Sequence, residues 1–326
     1  MNTEPGGFFS KGLNRRGFVK AAGLGGLAVT GVSWLGAKLG VMAGMPAAAQ
    51  LGLTQTVAHA QTITDTDILN FALNLEYLEA EFYTIASTGR TIEESGIAIT
   101  GKGNPGATIG GKQVYFGETG PFDGDECSNQ NSYDDDEYSR QLAAIVADIT
   151  YDEQQHVLLL RAALGSDAIA KPAINLDALG VGFANFKEFL TLARAFEDTG
   201  VSAYGGAAPL IASKDILATA ARIALTEALH SGNIRLLVSE NKIAVKPLDQ
   251  LDVLPPSTPP TTPPFSTPSG SMPPANATSY FTTDKQGLAV VRTPSQVLSI
   301  VYANNAAGTS KGGFFPAGVN GTITTV

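Results

Sequence analysis

Cysteine, histidine and charge are all scarce in this chain. Of its 326 residues one is cysteine, Cys127, and three are histidine. A single cysteine excludes an internal disulfide framework and any zinc site built from thiolates. Only 16% of residues are charged against 44% hydrophobic, the composition of a globular protein with a substantial core. Basic residues are the scarcer sign, 21 Lys and Arg against 30 Asp and Glu, for a formal net charge of −9. That balance argues against nucleic acid or an anionic membrane as the main partner.

The N-terminus departs from this pattern. In "LNRRGFVKAAGLGGLAVTGVSWLGAKLGVMAG" two adjacent arginines, Arg15 and Arg16, precede Phe18, Lys20 and a mildly apolar run rich in Gly and Ala. This resembles a twin-arginine export signal, which implies passage of a folded chain through the twin-arginine translocase to the periplasm or the extracellular space. A retained membrane anchor is the alternative. "VAHAQT" offers a small-x-small cleavage site at Ala58-His59-Ala60, with Ala47-Ala48-Ala49 as a competitor. Residues 1–60 carry five basic residues and one acidic one, so a cut after Ala60 takes the net charge from −9 to −13. The same cut removes His59 and leaves two histidines.

Both of those stand three positions after a glutamate: Glu153 and His156 in "YDEQQHVLLL", Glu227 and His230 in "TEALHSGNI". The surrounding residues have helical periodicity, as do four segments in all: residues 65–87, 135–164, 185–204 and 213–240. Thr and Asp cap the first, and Gly89 follows it. The run "DDDEY" opens the second, where acidic residues suit the positive end of the helix dipole. A calcium loop is a sharper reading of "DGDE" and "DDDE", but the ligand spacing fits poorly. Asn185 and Glu188 form a capping-box pattern at the third helix, which Gly205 and Gly206 are expected to end.

The bundle so predicted occupies residues 61–245. Residues 89–133, between helices one and two, are a long Gly/Asn/Ser/Asp-rich loop of the kind that is usually functional or holds small strands. A Pro-rich linker, 246–279, reads as extended polyproline. Residues 280–326 hold too much apolar content for a disordered tail and are expected to dock on the bundle, with a short helix starting at Thr293-Pro294.

Residues three, four, seven and eleven apart share a helix face. Around Glu153 those positions hold Leu142, Val146, Ile149, His156, Val157, Leu160 and Leu164; around Glu227, Ala220, Ile223, His230, Ile234 and Val238. Both pairs therefore point into an apolar core, where an uncompensated glutamate is costly. On the third helix Glu197 shares the apolar face while Glu188 serves the cap. On the first, Glu76 aligns with Leu69, Leu73, Ala80 and Tyr83, whereas Glu81 falls well off that face and is expected in solvent. Glu79 sits about 60° from Glu76 and stays a candidate.

The outcome is one inward glutamate on helices one and three and one Glu-x-x-His on helices two and four. Four-helix carboxylate proteins hold two iron or two manganese ions with this set. Carboxylates bridge and balance the ions, and neutral imidazoles complete the coordination. Tyr83 and Tyr204 follow Glu76 and Glu197 by seven residues, placing a phenol two turns along on each side as a supporting donor or redox partner, or simply as a core aromatic. A satisfied polar core without metal is the plainer alternative for the whole cluster.

With "LNFALNLEYLEAEFY", "EQQHVLLLRAALG", "FEDTGVSAYGGAAPLI" and "EALHSGNIRLL" in order, the chain resembles the ferritin-like superfamily. More narrowly it looks like the ferritin-like proteins called desiccation-related, whose bacterial tails are similar to the Pro-rich stretch and "GGFFPAGVNG". The resemblance implies an all-α four-helix bundle and a di-metal site carried by Glu76, Glu153, His156, Glu197, Glu227 and His230. Metal ions, O₂ or peroxide are the implied small partners, with oxidase, peroxidase or catalase-like activity. A non-catalytic stress or envelope protein of the same fold is the other reading, and a homo-oligomer is compatible with either.

Overall fold

The computed structural model describes residues 63–114, 116, 132–241, 243 and 288–326, and of 132–139 the backbone alone. The proposed export leader, Cys127 and the Pro-rich linker lie outside the described residues. Four long helices dominate: α1 (Asp65–Thr88), α2 (Ser132–Leu164), α3 (Phe186–Ala207) and α4 (Lys214–Glu240). A short fifth, α5 (Pro294–Val301), follows near the C-terminus. Helix α1 packs chiefly on α2 and α3 on α4, so the bundle is two helical hairpins laid together. Among the described residues no helix is long and apolar enough to cross a membrane.

The helix ends follow local chemistry. Thr64 and Asp67 exchange side-chain-to-backbone hydrogen bonds at the start of α1, a complete capping box, and Gly89 closes the helix at φ +72°. Asn185 caps α3 by accepting from the Glu188 amide at 3.0 Å. The reciprocal arm differs from the expected box, because Glu188 accepts from Gly182 and Ala184 instead and so ties down the approach to the helix. The Asp65 carboxylate accepts from the amides of Ala212 and Ser213, both at 2.8 Å, which joins the start of α1 to the start of α4.

Two expectations fail here for identifiable reasons. Helix α3 does not stop at Gly205 and Gly206 but runs through them to Ala207. Any Cβ at Gly206 would lie 1.9 Å from the carbonyl oxygen of Arg292, so these residues are small to admit the C-terminal chain against the helix. Arg292 donates its backbone amide to the Ser202 carbonyl and its guanidinium to the Asp198 carbonyl, at 3.0 and 2.7 Å. The same end of the chain brings Phe314 and Phe315 to full burial and pairs Asn320 with Asn74 through two 2.9 Å hydrogen bonds.

Glu81 is the second. It is fully buried, not solvated. Helix α1 has 18 buried residues among its 24, so it has no solvent face over its middle turns. Its outer side is covered by the two long connections, which are joined by a short parallel pairing of β1 (Thr108–Ile109) with β2 (Ile174–Asn175). Glu81 fastens both to the helix: it accepts from the Ile92 amide at 3.1 Å and the Thr108 hydroxyl at 2.7 Å, and pairs with Lys171 at 3.1 Å. Removing one member of a buried pair leaves an uncompensated charge, whereas replacing both by apolar groups costs far less. Lys171→Met should therefore destabilise the fold by about 3–5 kcal/mol, and Glu81→Leu/Lys171→Met by much less, as read from urea unfolding.

Candidate metal centre

Each of the four long helices presents carboxylates to one point in the bundle. Glu76 and Glu79 come from α1, Glu153 and His156 from α2, Glu197 from α3, and Glu227 and His230 from α4. All are buried, with Glu76, Glu153, Glu197 and Glu227 at 0% exposure. The apolar positions predicted to share a face with Glu153 are buried with it, from Leu142 and Val146 to Leu160 and Leu164, as are Ala220, Ile223, Ile234 and Val238 beside Glu227.

The contacts divide the cluster into two overlapping sets. One joins Glu76, Glu153, His156 and Glu227, the other Glu153, Glu197, Glu227 and His230, and the donor atoms of each lie within 4.8 Å of one another. Glu153 and Glu227 belong to both. His156 Nδ1 stands 3.2 Å from Glu76 and from Glu227 and 3.5 Å from Glu153. His230 Nδ1 stands 3.0 Å from Glu153 and 3.4 Å from Glu197. None of these approaches has hydrogen-bond geometry. Glu76 Oε2, both oxygens of Glu153, Glu197 and Glu227, and both Nδ1 atoms are buried without a hydrogen-bond partner. Buried polar atoms are almost always paired. Nine such atoms turned toward one another fit a cationic occupant, and hard oxygens with imidazole nitrogen form a donor set for first-row divalent ions.

The tyrosines cross between the hairpins. Tyr204 of α3 donates its hydroxyl to Glu76 Oε1 on α1. Tyr83 of α1 lies beside Glu197 of α3, with its hydroxyl buried and unpartnered. Burial, then the charge of the neighbouring glutamate, pushes both phenols well above their ordinary range, which keeps them protonated. The ring of Tyr83 is held edge-on by Phe82 and Phe189, whose rings stack 5.0 Å apart.

Asp152 is a participant that the sequence pattern did not reveal. Its Oδ2 lies 3.1 Å from His230 Nε2, across from α2 to α4, which leaves Nδ1 as the histidine's inward atom. A carboxylate on the far nitrogen is how metal-bound imidazoles are commonly oriented. The signal was present, since Asp152 directly precedes Glu153, but periodicity within one helix cannot show reach to another. Glu79, by contrast, belongs to neither four-residue set, though it is buried among them.

A model of the ferritin-like domain family matches residues 64–240, and the chain belongs to that family. No curated protein matches it. The four-helix bundle and its buried Glu/His cluster thus belong to a family consistent with metal binding.

Without a cation the cluster is electrostatically crowded. Burial and the neighbouring carboxylates hold Glu79 and Glu227 well above the usual carboxylate range, and burial raises Glu153. Burial opposes charge on His230, but the carboxylates of Glu153 and Glu197 override it and push it up to about 12; His156 rises in the same way beside Glu76. Raised acids bind protons more tightly folded than unfolded, and so do raised histidines. The folded state therefore holds extra protons, and its stability falls as pH rises. The thermal midpoint of the metal-free protein should decline between about pH 5 and pH 9, the span above the unfolded carboxylate value and across the unfolded histidine value. Metal loading must expel those protons, so it should acidify a weakly buffered sample at pH 7. A midpoint that climbs over the same interval would contradict this assignment.

Proposed function

We propose that the protein is an exported ferritin-like carboxylate protein that holds two iron or two manganese ions and acts on dioxygen or peroxide, or oxidises Fe(II), in protection against stress. The observation that carries this reading is the pair of overlapping ligand sets sharing Glu153 and Glu227. Two shared carboxylates, two unshared ones and one imidazole per position form the donor pattern of a two-ion centre. Such ions, when bound, supply one-electron redox chemistry and coordination positions for a small oxygen species.

The chain's own residues do the remainder. Glu76 and Glu197 complete the two positions from opposite hairpins. Tyr204 orients Glu76 and holds a proton on its hydroxyl. Tyr83 holds another beside Glu197, with no competing partner. Asp152 orients His230. With the four ligand carboxylates fully buried, bulk water and large substrates are kept away, which favours molecules the size of O₂ or H₂O₂.

Export through the twin-arginine route supports the choice of ions. Copper and zinc outcompete iron and manganese for such ligands by intrinsic affinity, and loading in the cytoplasm before export avoids that competition. The likeness of its motifs to those of desiccation-related proteins supports the role in stress protection. The same full burial supports a second reading, in which the ions stabilise the bundle without turnover.

Elemental analysis of the mature protein from its export route tests the proposal, beside a Glu153→Ala/His230→Ala variant. About two iron or manganese ions per chain are expected, lost in the variant, with peroxide decomposition or Fe(II) oxidation following the metal. Bound metal with neither activity selects the stabilising role. Absence of metal in both proteins, with the fold intact, sinks the two-ion reading.

A further inference from the structure

Helices α1 and α3 carry their site residues in the same register. Glu76 and Tyr83 on α1 correspond to Glu197 and Tyr204 on α3, each pair seven residues apart. Three residues after each glutamate the correspondence breaks, with Glu79 on α1 and Gly200 on α3. Gly200 is buried near the middle of a helix, where glycine is less favourable than alanine because it loses more backbone entropy on folding. Its φ is unexceptional, so no turn requires it. Space does: a Cβ at this position would lie 2.3 Å from Glu227 Oε2 and 3.1 Å from Glu79 Oε1.

We infer that Gly200 is a positioning residue, a notch in α3 that seats Glu227 Oε2 and lets Glu79 close against it, so that Glu227 reaches both ligand sets. This deepens the two-ion reading and rests on it. The two oxygens of Glu227 face different ways. Oε1 lies 3.2 Å from His156 Nδ1, on the side of the first set, while Oε2 presses into the backbone of α3, the helix that supplies Glu197 to the second. A methyl group at residue 200 expels Oε2 and leaves Glu227 serving the His156 side alone. Glu79 fills the space that the missing side chain vacates. Its burial beside the cluster, outside both ligand sets, follows from its place in the notch.

The test has a metal-loaded arm and a metal-free arm. Wild type and Gly200→Ala are loaded with manganese(II), and ions per chain are counted alongside the electron paramagnetic resonance spectrum. Wild type should bind about two ions with a coupled spectrum, and Gly200→Ala should lose one, leaving the spectrum of an isolated ion. Retention of two coupled ions by Gly200→Ala would overturn the inference. A wild-type chain that takes up neither manganese(II) nor iron(II) overturns the two-ion reading instead, a separate failure.

The metal-free arm is a double-mutant cycle on the thermal midpoint. Gly200→Ala should lower the midpoint by several degrees when Glu227 is present. In a Glu227→Ala background, where the opposing oxygen is gone, the same substitution should raise it, since alanine is the better helix former. The second comparison stays readable even if the single variant fails to fold. An equal drop in both backgrounds would mean that the methyl meets something other than Glu227, and the notch assignment would fall.

Discussion

Five carboxyl groups, those of Glu76, Glu79, Glu153, Glu197 and Glu227, are withdrawn from water at the centre of one bundle with only two imidazoles among them. Compensating that charge is the condition on which the surrounding structure depends. An isolated buried carboxylate either finds a countercharge or takes up a proton. In the metal-free chain both operate in part: the two histidines, held protonated by the carboxylates, supply some countercharge, and the raised carboxyls of Glu79 and Glu227 take up protons. Two divalent ions would supply the first. A centre that costs stability when empty and is relieved when filled would couple the fold to metal binding.

The bundle braces this centre from outside. Beside Glu197 on α3, Asp198 turns the other way and is held by Arg235 through Nε at 2.7 Å, by Arg194 at 3.2 Å and by the Ser231 hydroxyl at 2.8 Å. Burial works against charge on Asp198, but the guanidiniums override it and keep the carboxyl below its ordinary range. That network spans α3 and α4, and Arg292 joins it through the Asp198 carbonyl, so the C-terminal chain is fastened one residue from Glu197. On α1, Glu81 does the equivalent work with Lys171 and the two long connections. Both hairpins thus carry an inward carboxylate that faces the centre and another that anchors a covering segment.

The four long helices and the six residues that meet at the centre were legible because each left a mark within one helix. Periodicity placed Glu153, His156, Glu227 and His230 on apolar faces, and burial of those faces agrees. Capping residues before the first helix and Asn185 before the third marked two helix starts. What escaped was what depends on a partner from elsewhere in the chain. Glu81 lies off the apolar face that periodicity marks on the first helix, and nothing in residues 65–88 announces that two connections will wrap it. Gly205 and Gly206 read as a stop because glycine commonly ends helices; here they admit Arg292. Asp152 and Gly200 act on α4, at a distance that one helix's pattern does not encode.

The central claim is that two ions occupy one site between the hairpins. Anomalous diffraction from crystals of the iron- or manganese-loaded protein measures this directly. The account predicts two peaks roughly 3.5–4 Å apart, each against one histidine Nδ1, with Glu153 and Glu227 touching both. A single peak, peaks elsewhere, or a cluster whose carboxyls are hydrogen-bonded to one another with no anomalous signal would contradict it.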